Sequence, residues 1–151
     1  MMDFADLVNE FAVSARDNLR GPGQREAALA APVAELMRGV GEMVGHRVVA
    51  HNEVTVTDDA GEAVRPDFGV RVDGVLTGHI ELKAPGVSLD PSTYKPRSHN
   101  GRQWQRLREL PNLLHTNGVE WRLWRYGELV AEPRALHVPD LLRMRGSTVG
   151  Y

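Results

Sequence analysis

Three of six charged residues in one stretch stand where a metal or a phosphate could use them, and the stretch otherwise reads as sheet core. In RPDFGVRVDGVLTGHIELKAPG, Arg65 to Gly86, they are Asp67, Glu81 and Lys83. Side chains alternate along a strand, so Glu81 and Lys83 share one face and Ile80 and Leu82 the other. Ile80 and Leu82 suit the core. Asp73-Gly74 marks a hairpin turn. It folds the strand that Asp67 opens back onto the strand carrying Glu81, which brings the two carboxylates near each other. Converging carboxylates repel, and one takes up a proton unless a cation relieves them. Magnesium fits that role, because it takes few carboxylate oxygens and keeps waters. It lowers the pKa of a coordinated water from about 15.7 towards neutrality and makes a nucleophile of it. Lys83 beside that water would orient it, or stabilise charge developing on a phosphoryl oxygen. The plainer alternative is a Glu81–Lys83 salt bridge on an exposed sheet face, with Asp67 a bystander.

The flanking sequence must position these groups. Phe4, Leu7, Val8, Phe11 and Ala12 form one stripe of a helix over 3–20, which ends at the break RGPG. A second helix is expected over 24–44. Pro32 inside it argues for a kink or a late start, and Gly45 for the stop. From His46, β-branched residues read as a strand, followed by a polar turn and the two hairpin strands. APGVSLDPSTYKPRSHNG is a long loop with three prolines, of a length that is usually functional or mobile. RQWQRLREL reads as a helix ending before Pro111. VEWRLWRYG alternates as a strand, and ELVAEP pairs back on it across Gly127. The expected fold class is α/β, a mixed sheet of four or five strands flanked by helices. It forms one domain over 1–151, with a helical part 3–44, a core 46–131 and a tail 143–151.

Composition narrows the function. The 151 residues suit one domain with a proper core. Absence of cysteine excludes disulfides, zinc-thiolate sites and thiol nucleophiles, and fits a cytoplasmic location. The acidic, polar-broken N-terminus does not read as a signal peptide. No apolar run approaches the roughly 18 residues that span a bilayer, so no membrane role is expected. Formal net charge is only −2, yet Lys95, Arg97, Arg102, Arg106, Arg108, Arg122 and Arg125 crowd one segment with only Glu109 and Glu120 against them. This segment reads either as a solvated helix face or as a surface for phosphates. The six histidines form no HxH or HExxH pair. His79 shares the face of Glu81 and Lys83 and stands at the edge of the expected site.

Pro66-Asp67 and Glu81-Leu82-Lys83 together resemble the bipartite motif of the PD-(D/E)XK, or restriction-endonuclease-like, nuclease superfamily. The order of elements is similar to that superfamily's core. RPDFGV, IELKAPG, QWQRLRELPNLLHTNG and WRLWRYGEL are more narrowly similar to the N-terminal nuclease domain of type ISP and type I-like restriction-modification proteins. In those proteins the nuclease is fused to an N6-adenine DNA methylase, sometimes with a helicase.

This resemblance implies Mg²⁺, with Mn²⁺ as a substitute, on Asp67, Glu81 and the Leu82 backbone carbonyl. It implies that Lys83 acts on the attacking water. Glu26 is the choice for a further acid on the first core helix, with Glu35 as rival. Gln103 stands where some members carry a Gln, but Leu107 replaces the Tyr that follows it four residues later. Arg97, Arg102, Arg106 and Arg108 become candidates for DNA backbone contacts. The implied function is a Mg-dependent endodeoxyribonuclease acting on double-stranded DNA, in restriction of foreign or phage DNA, and leaving 5′-phosphate ends. No base-reading motif stands in the chain, so specificity is expected from a methylase, helicase or specificity region in cis or trans, and the chain reads as a piece of such a protein. The alternatives are a silent DNA- or protein-binding module on the same fold, or a repair, junction or RNA nuclease.

Overall fold

Asp3 starts the first helix. Its carboxylate accepts from the Asp6 N–H at 2.9 Å, and the Asp6 carboxylate accepts from the Asp3 N–H at 3.3 Å. This reciprocal cap opens α1, Phe4–Arg20. Leu7, Val8, Phe11, Ala12, Ala15 and Leu19 are its buried stripe. The structure, a computed structural model, describes residues 2–52, 56–57 and 63–138. The helix expected over 24–44 is divided: a 3₁₀ turn at Ala27–Leu29 precedes α2, Ala30–Met43. Pro32 lies in the first turn of α2, where a missing N–H forfeits no helical bond, so it marks a late start.

β1 is Val48–Asn52. β2, Val56–Thr57, and β3, Ala63–Val64, pair with each other apart from the main sheet. β4 is Phe68–Val72 and β5 is Val75–Leu82. Asp73 and Gly74 join them with φ of 51° and 86°, as a tight hairpin of this hand requires. The Asp73 carboxylate accepts from the Arg47 N–H at 2.8 Å and meets His46 Nδ1 at 2.7 Å. The turn is thereby tied to the entry of β1. A register shift after Val70 leaves Thr77 bulged. Past it the strands realign, with Phe68 opposite Ile80.

α3 spans His99–Leu107, three residues earlier than RQWQRLREL implies, because the Ser98 side chain caps it by accepting from the Gly101 N–H at 3.0 Å. Then come β6 (Leu113–Thr116), β7 (Glu120–Arg125), β8 (Glu128–Leu129) and β9 (Arg134–Ala135). The main sheet runs β1-β4-β5-β6-β7-β8, with β9 also on β7. It holds seven strands rather than four or five. β6 has no counterpart in the sequence reading. Its four residues lie between helical layers on both faces, so LLHT shows no alternation to detect. The tail at 143–151, and part of the strand and turn expected between 53 and 62, lie outside the described residues.

Two apolar layers sandwich the sheet. Phe68, Val70, Ile80 and Leu82 face α1 and α2. Trp104, Leu107, Leu110, Leu113 and Trp124 form a second cluster beneath α3. The long loop between β5 and α3 is anchored: Leu89 is fully buried, Tyr94 donates to the Ser88 carbonyl at 2.6 Å, and Asn117 donates to the Val87 carbonyl at 2.8 Å. No helix among the described residues is long and apolar enough to cross a membrane. Gly101 sets how closely α3 approaches, since a side chain there would run into the Lys95 carbonyl. Gly101→Ala is expected to lower unfolding free energy by roughly 1–3 kcal/mol. Urea denaturation measures this, and an unchanged midpoint would show that α3 is seated elsewhere.

Candidate active site

β5 and β6 are the parallel pair of the sheet, connected through α3. Ligand sites on such sheets gather beyond the carboxyl ends of the strands. There β4 and β5 diverge. Phe68↔Ile80 is their last pair, so Asp67 and Glu81 come next on one face. Asp67 Oδ2 accepts from the Leu82 N–H at 2.7 Å. In an extended residue the carbonyl projects to the same edge as the N–H. The Leu82 carbonyl and Asp67 therefore face the same space, a cleft of ≈ 330 Å³ whose lining includes Gln24, Glu26, Asn52, Asp67 and Leu82.

Glu81 and Lys83 point to the opposite face from Ile80 and Leu82, and both are buried, 3% and 4% exposed. An exposed surface salt bridge is therefore not what they form. Lys83 Nζ lies 3.7 Å from Glu81 Oε2 and donates to Gln103 Oε1 at 2.6 Å and Asn100 Oδ1 at 3.0 Å. The two carboxamides stand one turn apart on α3. Asn100 was missed by the sequence reading, because SHNG reads as loop until Ser98 is recognised as a cap.

Burial pushes the Glu81 carboxyl up to about 8, and Asp67 adds to the push; Lys83 opposes it, while Glu26 and a hydrogen bond with Asp67 raise it further. The carboxyl pair thus holds a proton where a cation would serve as well. Glu81 Oε1 is buried and has no hydrogen-bond partner among the described residues. An orphaned carboxylate oxygen, a second carboxyl in contact and a main-chain carbonyl make a hard oxygen set that fits Mg²⁺ or Mn²⁺. Among the described residues no three acidic or histidine side chains form a metal cluster. Glu26 lines the cleft without completing one. Glu35 is placed elsewhere, paired with Arg38 at 2.8 Å on the exposed side of α2.

Two histidines share the buried face. His115, opposite Glu81 in the ladder, stacks on Trp104 with ring centroids 6.1 Å apart. Burial, then Lys83 and Arg122, hold it neutral, down to about 3. Burial likewise lowers His79. Neither ring has a hydrogen-bond partner among the described residues. The basic residues separate in space. His99, Arg102, Gln103 and Arg106 lie on one face of α3 and line a second cleft with Arg65. Arg108 instead lies against Gly127 in the β7–β8 turn, and Arg97 is exposed in the loop before α3.

No family model matches the chain, and no curated protein matches it. Among solved structures, a chain of a cryo-electron-microscopy structure of a DrdV–DNA complex superposes with a TM-score of 0.66 at 21% identity. The two share a fold. It is an α/β fold of helices packed on a mixed sheet, the fold class expected from the sequence. The match covers 95% of this chain but only 14% of that one, so this chain spans a small part of its neighbour's length.

The carboxyl pair makes stability depend on pH. Glu81 has a folded pKa near 8 against an ordinary value of 4.5. Between about 6.5 and 8, above the range in which the buried histidines contribute an opposite slope, the folded state binds the extra proton, so metal-free stability falls as pH rises, by about 1.4 kcal/mol per unit. Glu81→Gln should remove that slope and be the more stable protein at pH 8. Denaturation of both proteins in EDTA across this range is the measurement, and parallel pH profiles would contradict it.

Proposed function

We propose that this chain is a divalent-metal-dependent endonuclease domain that hydrolyses phosphodiester bonds in double-stranded DNA. The observation that carries the reading is the Lys83 ammonium, buried beside the Asp67–Glu81 carboxyl pair at the carboxyl end of a parallel strand pair and held by two carboxamides. The fold shared with a chain solved on DNA supports DNA as the partner. Asp67, Glu81 and the Leu82 carbonyl would hold Mg²⁺ or Mn²⁺, with Glu26 at the rim of the cleft. A bound cation supplies Lewis-acid polarisation and a stronger nucleophile from water at neutral pH.

The chain's own groups do the positioning. Lys83 donates two of its three N–H bonds to Asn100 and Gln103. The third remains for an attacking water or a phosphoryl oxygen, where a fixed positive charge stabilises the transition state. The Asp67 carboxylate is held by the Leu82 N–H, so it meets the cleft already oriented. Arg97, in the loop before α3, and Arg102 and Arg106 on α3 supply backbone affinity of the sequence-independent kind, while Arg108 is turned to the β7–β8 turn. In the finer reading, the domain restricts foreign DNA in the cytoplasm and leaves 5′-phosphate ends. It does so as the nuclease part of a type ISP-like protein, whose methylase, helicase or specificity region chooses the site.

Purified chain incubated with supercoiled plasmid and Mg²⁺ or Mn²⁺ tests this. The parent is expected to nick or linearise the plasmid. Asp67→Ala and Lys83→Ala should each lose about 100-fold or more in rate. Asn100→Ala, which loosens Lys83 without removing it, should lose roughly 10-fold. Absence of cleavage, together with no rise in melting temperature on adding either metal, would sink the reading and leave a silent binding module.

A further inference from the structure

Lys83 is the first residue beyond the paired part of β5, whose last partner pair is Leu82↔Thr116. Lysine carries its charge on a flexible four-carbon stem, so its aim depends on how the main chain is held. Two bonds hold it here, and both come from the turn 116–118 between β6 and β7. The Lys83 N–H donates to the Thr116 carbonyl at 2.8 Å. Four residues on, the Val87 carbonyl accepts from Asn117 Nδ2 at 2.8 Å. Between these two points the chain closes a turn of its own. The Val87 N–H donates to the Ala84 carbonyl at 3.0 Å, and Gly86 has φ of 91°, as Pro-Gly at the centre of such a turn requires.

Asn117 is engaged on both sides of its carboxamide. Its Oδ1 accepts from the Val119 and Glu120 N–H groups at 3.0 and 2.9 Å. Two donors and one carbonyl therefore fix which way the carboxamide faces. Beside it, Thr116 Oγ1 donates to the Glu120 carbonyl at 2.9 Å and accepts from the Gly118 N–H at 3.0 Å. Asn117 is 6% exposed and Thr116 is fully buried, and hydrogen bonds withdrawn from water are costly to leave unmade. The turn by itself needs only the Asn117 oxygen. The donation to Val87 is additional, and it crosses 30 residues of chain to reach the loop that leads from Lys83 to α3.

That loop bears on Lys83 from both ends. It begins at the Lys83 main chain, and it delivers Asn100 and Gln103, whose oxygens hold the ammonium at 3.0 and 2.6 Å. We infer that Asn117 is a positioning residue for Lys83. By strapping Val87 to the β6–β7 turn, it fixes the line along which the ammonium enters the candidate site. The inference rests on the nuclease reading only for what that ammonium acts on; the positioning itself is measured without DNA.

The chain has two lysines, Lys83 and Lys95. Protein labelled with ¹⁵N at lysine therefore gives an ammonium signal that Lys95→Arg assigns to Lys83. Asn117→Ser keeps an oxygen for the turn but is too short to reach Val87. Asn117→Asp keeps both turn bonds and loses only the donor, and serves as the second variant. Asn112→Ser is the control, because it removes the same kind of bond, from Asn112 Nδ2 to the Thr77 carbonyl at 2.9 Å, near the opposite end of β5. In EDTA the Lys83 ammonium is expected to exchange its protons with water faster in both Asn117 variants and at the parent rate in Asn112→Ser. With Mg²⁺ and plasmid, kcat of Asn117→Ser should fall about 10- to 100-fold while KM stays within about twofold of the parent. Unfolding midpoints verify folding; an asparagine with a merely structural role would lower the midpoint and leave ammonium exchange and kcat unchanged. Unchanged exchange in the Asn117 variants, an equal rise in Asn112→Ser, or an unchanged kcat in Asn117→Ser overturns the inference. Faster exchange in the Asn117 variants of a parent that cuts no DNA would end the nuclease reading and leave the positioning of Lys83 standing.

Discussion

Putting a carboxyl and an ammonium side by side under a helix is the constraint that shapes the rest of the structure. Glu81 and Lys83 are both withdrawn from water. Desolvating two ions costs several kcal/mol each, and a contact of 3.7 Å between them does not offset that alone. Each group therefore has its own relief. Lys83 has amide oxygens from Asn100 and Gln103. Glu81 has a raised pKa and the company of Asp67. The first relief dictates what α3 must be: a helix with two carboxamides one turn apart, a glycine at Gly101 for close approach, and Trp104 filling the space above the sheet. The second leaves Glu81 Oε1 buried without a hydrogen-bond partner among the described residues.

The same layer keeps competing positive charge away. His79 and His115 face it as neutral rings, so the Lys83 ammonium meets no imidazolium there. This neutrality has its own pH window. A folded pKa held below the ordinary value gives stability that is complete above about 6.5 and lost as pH falls. The buried face thus resists ionisation at both ends of the scale, through histidines on the acid side and a glutamic acid on the basic side.

Strand alternation made much of this legible. It assigned Ile80 and Leu82 to the core and Glu81 and Lys83 to the other face, and Asp73-Gly74 located the hairpin that brings Asp67 back. What alternation cannot tell is what covers a face. Nothing local to IELK distinguishes a lysine in solvent from one under a helix; that depends on α3, sixteen or more residues later in the chain. β6 escaped because a strand covered on both sides and only four residues long has no periodicity to read. Asn100 escaped with the helix start, although Ser98 carried the signal. β8 pairs back on β7 across Gly127 as ELVAEP implies, whereas β9, of two residues, owes its pairing to β7 rather than to its own composition.

The parallel pairing of β5 with β6 also has a consequence for how the protein is made. The Lys83 N–H is fixed by the Thr116 carbonyl at 2.8 Å, and α3 reaches its place only as part of the crossover that ends in β6. Such non-local pairings form late, because the loop must close before any contact rewards it. A chain emerging from the ribosome exposes Asp67, Glu81 and Lys83 well before Leu113–Thr116 can dock. During that interval the three residues are present but unassembled. Topology therefore delays the appearance of the carboxyl–lysine arrangement until most of the domain has been synthesised, and an interrupted translation product ending before β6 would lack it.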